Sequence, residues 1–248
     1  MKKLKQYLII GLVFSISLAS YGQTIAERVK ELKLGDMEND ELFDYVLRDK
    51  LDDILPVIMK KHNIDMWIHV SRYGDQDPLA AVFGEEEGVY VFTDIGEDRI
   101  ERAYFGFNTE FIDKTGAFDI LKKQEMKTPL TEAPDNRMNL NDFYRTGNRE
   151  WPGREVTELD FRFKGLKEFV EARDPEVIAL NYLEEMGEAL FYETPKIRPD
   201  GISYTDFRLI EKKLGEKYSS RIISSEYLEF DFHAMPVLSE FEIYTRIR

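Results

Sequence analysis

Short apolar runs alternate with amphipathic segments along most of this chain, a pattern typical of α/β proteins. Residues 48–62 carry apolar side chains at helical spacing, with Pro56 as an expected kink; these are Leu51, Ile54, Leu55, Ile58 and Met59. The mostly apolar run 66–70 follows a turn at Asn63, as expected of a buried strand. The pattern therefore predicts a helix whose apolar face packs on a sheet.

The later segments extend that sheet and add helices. Residues 88–93 and 99–105 are rich in strand-forming residues, and the link 94–98 favours a hairpin. Further strands are predicted at 177–180 and 221–224. Helical periodicity or capping patterns predict helices over 157–173, over 204–214 (capped by Ser203 and closed by Gly215) and from a capping box at 239–242, with a short helical turn over 225–232. Residues 124–153 are interpreted as a long loop or insertion.

The start of the chain has the three regions of a secretory signal: lysines, an apolar run over 7–19, and small residues before Gln23. We expect cleavage after Gly22, with an uncleaved anchor as the alternative reading. The predicted organisation is a signal peptide (1–22), a leader of short helices (23–47), an α/β domain (48–236), and a first helix leading to another domain (237–248). The mature chain would be periplasmic or secreted, with no membrane segment left after cleavage.

Composition excludes several classes of function. The formal net charge is −14, so nucleic acid is not an expected partner. There are no cysteines, so disulfides and thiolate metal ligands are excluded. Hydrophobic residues make up 43% of the chain, which is enough for folding to rest on a hydrophobic core.

The chain contains few residues that could perform catalysis. Its three histidines are His62, expected at a helix end, His233, interpreted as structural, and His69, which alternates with Trp67 on a strand. Neither a metal-ligand cluster nor a Ser or Cys nucleophile beside a base is recognisable. Glutamates separate Gly84 from Gly88, and their charge disfavours a phosphate-binding loop. We therefore predict no catalytic residues and no metal ligands in this chain.

The best local candidate for a binding site follows the strand at 66–70, where open α/β sheets often bind ligands. In the polar segment 71–78, Arg72 could hold a carboxylate and Asp77 an amine. His69 could face the same cleft. These three residues are the candidate substrate contacts, and the alternative is a capped surface loop with a buried structural histidine.

A known family shares the order of these segments. They are a helix over 48–65, Met66-Trp67-Ile68-His69-Val70-Ser71-Arg72 with Asp77-Pro78, Arg173-Asp174-Pro175-Glu176-Val177-Ile178-Ala179-Leu180-Asn181, Asp200-Gly201-Ile202-Ser203, Leu214-Gly215-Glu216-Lys217-Tyr218, Arg221-Ile222-Ile223-Ser224-Ser225-Glu226 and Ser239-Glu240-Phe241-Glu242. In this order the chain resembles the creatinase/prolidase N-terminal domain, and the resemblance covers nearly the whole mature chain.

The resemblance implies a ribonuclease H-like α/β fold, with a mixed sheet flanked by helices. In that family, which includes Xaa-Pro aminopeptidases, this domain precedes a pita-bread metallopeptidase domain. Two Asp, one His and two Glu of that second domain hold a dinuclear centre of Mn, Co or Zn, so no cofactor is expected within the present chain. The implied role is to shape the substrate entrance and to make oligomer contacts.

The expected partners are therefore a catalytic domain or subunit, proline-containing peptides and a second copy of the chain. The leading interpretation is the accessory domain of an exported Xaa-Pro peptidase without its catalytic domain; the rival is a stand-alone exported peptide- or protein-binding module. The first predicts exposed Phe241, Ile243 and Ile247, and the second predicts that they are buried. A metal-free enzyme using the loop 71–77 is the least favoured possibility, because no activated nucleophile is evident.

Overall fold

Six strands form one mixed sheet in the computed structural model, which describes residues 27–72, 79–83, 87–124, 161–184 and 201–246. Their order across the sheet is β4-β3-β2-β1-β5-β6. The strands are β1 (Met66–Ser71), β2 (Gly88–Asp94), β3 (Ile100–Gly106), β4 (Ile120–Lys123), β5 (Ile178–Leu180) and β6 (Ile222–Ser224).

The pairing directions divide the sheet into two parts. β1, β2 and β3 form an antiparallel meander, in which Trp67 pairs with Phe92 and Val91 with Ala103. β5 pairs in parallel with the free side of β1, and β6 pairs in parallel with β5. β4 extends the opposite side, parallel to β3. The predicted mixed α/β sheet and the hairpin across 94–98 are confirmed.

Eight α-helices are seen in these segments, besides a helical turn over 27–31 and a 3₁₀ turn at Phe161–Phe163. They are α1 (Asn39–Asp53), α2 (Leu55–His62), α3 (Ala80–Phe83), α4 (Thr109–Thr115), α5 (Leu166–Arg173), α6 (Tyr204–Ser219), α7 (Glu226–Ala234) and α8 (Glu240–Arg246).

The helix predicted over 48–62 is two helices that meet at Ile54. Pro56 lies in the first turn of α2, where its ring is tolerated but cannot continue the hydrogen bonding of a preceding helix. Ile54 keeps αR dihedral angles and its N–H donates to the Lys50 carbonyl, so the two helices are consecutive and the interruption expected near Pro56 is confirmed. The boundary predicted between residues 47 and 48 lies inside α1, whose side chains on both sides of that point enter the same core.

Two other helix predictions change at glycines. α5 begins at Leu166 after Gly165, whose φ of 81° is not helical, so the helix predicted from residue 157 is shorter in the described part. Gly215 interrupts α6 with φ 75° and ψ 172°, but the helix resumes and reaches Ser219. The Ser203 cap is confirmed, because its Oγ accepts the Asp206 N–H at 3.1 Å. Residues 125–160, which include most of the predicted loop, lie outside the described residues.

Side chains alternate between two cores, one on each face of the sheet. The first core packs Trp67, Tyr90 and Phe92 against α1, α2 and α7. The second core packs Ile68, Val70 and Val91 against α5 and α6. β1 is buried on both faces, because it lies in the middle of the sheet.

The last helix, α8, is held on the first-core side by polar contacts. Ser239, the first residue of the capping box predicted at 239–242, donates its hydroxyl to Asp49 Oδ2 at 2.5 Å. Lys50 Nζ lies 2.7 Å from Glu240 Oε1, and Arg246 Nη2 donates to the Leu34 carbonyl at 2.7 Å. In the part of the chain that the structure describes, no helix is long and apolar enough to cross a membrane.

The burial of this helix falls between the two expectations derived from the sequence. Ile243 is partly buried against the first core, whereas Phe241 is 36% exposed. Tyr244 is 53% exposed and packs edge-on against Phe241, with ring centroids 6.1 Å apart. Ile247 lies outside the described residues. One side of α8 is therefore docked on the domain, and the other presents two aromatic rings to solvent.

Candidate functional site at the carboxyl edge of the sheet

The carboxyl ends of the parallel strands β1 and β5 meet at one edge of the sheet. Asn181, just after β5, holds them together: its Oδ1 accepts the Val70 N–H at 2.9 Å, and its Nδ2 donates to the Val70 carbonyl at 3.0 Å. The amide thus substitutes for a strand residue, and it is only 5% exposed. Val70 and Asn181 are consequently fixed in relative position.

Gly201 brings the start of α6 to the same edge. It forms an isolated bridge with Tyr182, and the adjacent Ile202 N–H donates to the Asn181 carbonyl at 2.7 Å. Gly201 has a φ of +67°, and a Cβ added there would lie 2.4 Å from the Asn181 carbonyl oxygen. A side chain cannot fit without moving the backbone, so glycine is what permits this close approach.

Two arginines converge on one buried carboxylate at this edge. Asp206, in the first turn of α6, has a side chain that is 3% exposed. Its Oδ1 accepts a hydrogen bond from Arg162 Nη2, and its Oδ2 lies 3.7 Å from Arg72 Nε. The exposed fractions are 18% for the Arg162 side chain and 32% for that of Arg72. We call Arg72, Arg162 and Asp206 the arginine cluster.

An aromatic pair lies beside the arginine cluster on the same face of the sheet. The rings of Tyr182 and Phe207 pack edge to face, with centroids 5.1 Å apart and planes at 72°. Tyr182 is two residues beyond Leu180 of the second core, and Phe207 directly follows Asp206. We call Tyr182 and Phe207 the aromatic wall; both rings are partly buried against the second core.

Acidic groups surround the hydroxyl of Tyr182. This hydroxyl donates to Glu184 Oε1 at 3.0 Å, and the Glu184 N–H donates to Glu226 Oε2 at 3.0 Å. Burial, followed by the hydrogen bond to Glu184 and the charges of Glu184 and Glu226, raises the pKa of Tyr182 to about 12. At neutral pH this phenol is therefore a neutral hydrogen-bond donor and not a base.

The three candidate contacts predicted from the sequence do not form one group. Arg72 belongs to the arginine cluster, on the second-core side of the sheet. His69 lies on the opposite side and is 1% exposed, between Trp67 and Phe83 at centroid distances of 5.6 and 5.5 Å. Its Nδ1 is 3.6 Å from Glu229 Oε1. Asp77 lies outside the described residues. A ligand that touches Arg72 from solvent does not reach His69 in this arrangement.

The other two histidines occupy helices. His62 ends α2, as predicted, and its Nε2 lies 2.6 Å from Asp231 Oδ2. Lys61 Nζ is also 2.6 Å from this oxygen, and these two partners lower the pKa of Asp231. His233 is exposed in the last turn of α7. His62 therefore takes part in a contact between α2 and α7, and His233 lies near the end of α7.

The sequence did not indicate Arg162, Tyr182, Asp206 or Phe207 as site residues. Asp206 lies in the capping pattern that begins at Ser203, and this pattern correctly predicted its backbone position. No local signal shows that its carboxylate faces Arg72, because the two residues meet only through the parallel pairing of β1 with β5 and the placement of α6. The missed residues are those brought in by long-range contacts.

A concave surface lies at the opposite, amino end of β1. It has a volume of about 280 Å³ and is lined by Asp52, Pro56, Asp98, Arg99, Ile100, Arg102 and Asp119. Arg102 Nη2 donates to the Leu51 carbonyl at 3.0 Å and also to Asp52, while the Arg102 N–H donates to Asp119 at 2.9 Å. These bonds join α1 to β3 and to the segment before β4, so the charged groups here serve mainly to connect elements.

The carboxyl edge offers charged side chains that could take part in the recognition of an ion. In the segments that the structure describes, no group of three His, Asp or Glu side chains could hold a metal ion. In the arginine cluster two guanidinium groups lie around one carboxylate, and about a third of the Arg72 side chain is exposed. Such an arrangement can bind an anionic group through charge-assisted hydrogen bonds.

Comparison of the chain with protein-family models, curated proteins and solved structures found no match.

Proposed function

We propose that this chain is a non-catalytic domain of the creatinase/prolidase N-terminal type, which works with an exported Xaa-Pro metallopeptidase. In this role the domain shapes the entrance through which proline-containing peptides reach a dinuclear metal centre elsewhere, and it contributes to oligomer contacts. The metal ligands belong to the catalytic domain or subunit. Export to the periplasm or the medium follows from the signal-like residues 1–22.

The strand order is the observation that carries the proposal. An antiparallel meander of three strands, followed by two parallel strands added beside the first, is the arrangement expected of a ribonuclease H-like sheet. The segments that carry the family resemblance lie in this sheet and its helices in the expected order: β1 at Met66–Ser71, β5 at Ile178–Leu180 and β6 at Ile222–Ser224. The resemblance rests on sequence order alone, so the strand pairing is separate support for it.

The coding DNA downstream of Arg248 provides the decisive test. The proposal expects either an in-frame continuation or a neighbouring gene that encodes two Asp, one His and two Glu in the pita-bread arrangement. The purified chain alone, supplied with Mn²⁺ and an Xaa-Pro peptide, should release no product. Turnover by the chain alone would contradict the proposal, as would a genomic neighbourhood without any such catalytic partner.

A stand-alone peptide-binding module is the second candidate, and the docking of α8 favours it. Ile243 packs against the first core, and the buried pair of Lys50 with Glu240 fixes the helix to α1. A helix attached in this way does not need another domain to hold it. The module hypothesis expects the purified chain to bind proline-containing peptides by itself, with no catalytic gene nearby.

A further inference from the structure

β6 is an edge strand with one open side. The sheet ends at this strand, and among the described residues only β5 pairs with it. The Arg221 carbonyl accepts an N–H of β5, and the Ser225 N–H donates to a carbonyl of β5, both at 3.0 Å. Backbone groups of successive residues alternate between the two sides of a strand. The N–H and carbonyl groups of Ile222 and Ser224 therefore point away from β5, toward the open side of the sheet.

The two edges of the sheet differ in charge. Exposed edges usually carry charged residues, lysine above all, which prevent pairing with another chain. The edge at β4 follows this rule, because Lys122 and Lys123 are both exposed. β6 consists of Ile222, Ile223 and Ser224 and contains no charged residue. Of the two edges, β6 is therefore the one suited to accept another strand.

The exposed apolar surface of β6 lies on the first-core side of the sheet. Ile223 is in register with Ala179 of β5, whose side chain belongs to the first core. Side chains of residues in register project from the same face of a sheet, so Ile223 lies on that face too. Its side chain is 42% exposed, and α7 on the same side adds Phe230, which is 47% exposed. A strand added beside β6 removes apolar surface of Ile223 from water, which favours association.

We propose that β6 pairs antiparallel with β6 of a second copy of this chain and so joins the two sheets into one continuous sheet. In this register Ile222 of one copy exchanges two hydrogen bonds with Ser224 of the other, and Ile223 lies opposite its own counterpart on the two-fold axis. The two Ile223 residues form a pair without hydrogen bonds, in which side chains approach most closely. The inference rests on the proposed function, which includes oligomer contacts, and it assigns those contacts a surface.

The charges along this register suit a second copy as the partner. Each chain has a formal net charge of −14, so the two copies repel each other unless like charges stay apart where they meet. The antiparallel register places Arg221 opposite Ser225 and Ser220 opposite Glu226, so no two like charges face each other directly. Self-pairing thus combines hydrogen bonds, an apolar contact and separated charges, whereas a partner of unrelated sequence has no such match built in.

Sedimentation of the purified chain over a range of concentrations measures the association. The interface is short, so we expect monomers at about 1 µM and dimers at about 100 µM. Ile223→Lys gives β6 the charge that is typical of protected edges and should weaken the association about tenfold or more. The matched control is Ile95→Lys, in the turn between β2 and β3, because Ile95 is 49% exposed. This control should leave the association unchanged.

Hydrogen exchange of single amides, followed by NMR, locates the contact. The N–H groups of Ile222 and Ser224 should exchange quickly in the dilute chain and about tenfold more slowly, or slower still, in the concentrated chain. The Ser225 N–H, which donates to the Leu180 carbonyl, is the internal reference and should be protected equally at both concentrations. This measurement uses the unaltered chain, so it decides the matter even if Ile223→Lys fails to fold.

Several results would overturn the inference. They are a monomer at every concentration, a dimer in which the exchange of Ile222 and Ser224 is unchanged, and equal weakening by Ile223→Lys and Ile95→Lys. Slow exchange of both amides in the dilute monomer would do the same, as would slowing by a proline-containing peptide and not by a second copy. None of these results bears on the coding sequence beyond Arg248, so the accessory-domain proposal can survive or fail separately.

Discussion

At the scale of single residues, the carboxyl edge depends on Gly201 and Asn181, which bring three separate parts of the chain together. The amide of Asn181 bonds both polar groups of the Val70 backbone. Gly201 lets the chain before α6 pass close enough for Ile202 to bond Asn181 in turn. The placement of Asp206 beside Arg72 follows from these contacts, because α6 starts only three residues after Gly201.

Replacing Gly201 by alanine should be more harmful than the same change at a glycine with similar backbone strain. Gly96 is suitable for comparison, because its φ is +87° but an added Cβ would meet nothing within 4 Å. We expect Gly201→Ala to lower the free energy of unfolding by about 2–4 kcal/mol and Gly96→Ala by about 1 kcal/mol. Urea unfolding measures both. Equal losses would mean that the backbone at Asn181 yields to the new methyl group.

Asp231 gives a prediction about pH. Its pKa lies below the ordinary value of 3.8, chiefly because Lys61 donates to it and then because His62 does. A carboxyl whose pKa is lower in the folded state stabilises the fold above its unfolded pKa, and the stabilisation is lost as the pH falls through the folded pKa. Asp231→Asn should therefore reduce stability by about 0.5–1 kcal/mol near neutral pH, and by progressively less below about pH 4.

The control for this pH effect is Asp98→Asn. Asp98 pairs at 3.3 Å with Lys60, which lies on α2 like Lys61 and His62. The side chains of Asp98 and Lys60 are 81% and 78% exposed. Such a pair contributes little, so this variant should match the original chain across the range. Chemical unfolding at several pH values checks both variants, and a deficit in Asp231→Asn that stays constant into acid would contradict the prediction.

Only part of the site could be foreseen from single residues. Arg72 was a candidate because it follows a predicted strand, and that strand is confirmed. Whether the alternating side chain of His69 faced a cleft or a core depended on which helix covers each face, which sequence periodicity does not reveal. Asp206 comes from α6, and its other partner Arg162 comes from the turn before α5, so only the assembled fold identifies this cluster.

At the scale of elements, apolar runs and capping patterns predicted the strands β1, β2, β3, β5 and β6 and the start of α6. The short elements α4 and β4 were not predicted, because seven and four residues carry too little periodicity to be recognised. Interruptions were predicted less well than elements. Pro56 and Gly215 are visible in the sequence, but whether each kinks, breaks or merely interrupts a helix depends on the packing around it.

The attachment of α8 to the domain depends on a buried ion pair. The side chain of Lys50 is 6% exposed, and its Nζ lies 2.7 Å from Glu240 and 5.2 Å from the ring centroid of Phe232. Removing one member leaves the other charge poorly solvated and unpaired. Lys50→Met should therefore reduce stability by about 2–4 kcal/mol and speed hydrogen exchange in α8.

A double variant distinguishes the penalty of an isolated charge from a loss of packing. Lys50→Met combined with Glu240→Leu removes both charges and should recover much of the stability. The comparison variant is Lys167→Met, whose pair with Glu171 on α5 is about half exposed and should contribute less than about 0.5 kcal/mol. If Lys50→Met behaves like Lys167→Met, α8 is not held by this pair.

At the scale of the whole molecule, one sheet supplies a face to each of two cores. β1 contributes Trp67 to the first core and Ile68 to the second, and every residue of this strand is buried. The two helical layers pack on the same strands. A loss of packing on one face of the sheet therefore exposes strands on which the core of the other face also depends. The proposed accessory role requires such rigidity, because an entrance keeps its shape only if the domain that forms it does not open in parts.

This shared sheet predicts a single unfolding transition. Leu55→Ala on α2 and Leu214→Ala on α6 remove the same side chain from opposite cores, where the leucines are 0% and 2% exposed. Each should lower the free energy of unfolding by about 2–5 kcal/mol. Trp67 reports the first core by fluorescence once the second tryptophan is removed by Trp151→Phe, and far-UV circular dichroism reports the helices of both layers.

The informative variant is Leu214→Ala, since the change and the fluorescent probe lie on opposite faces of the sheet. Cooperative unfolding requires the Trp67 midpoint to fall together with the circular dichroism midpoint. If the fluorescence midpoint stays in place while the dichroism midpoint falls, the layer of α5 and α6 unfolds separately. The carboxyl edge, whose Asp206 lies on α6, would then open without the rest of the domain.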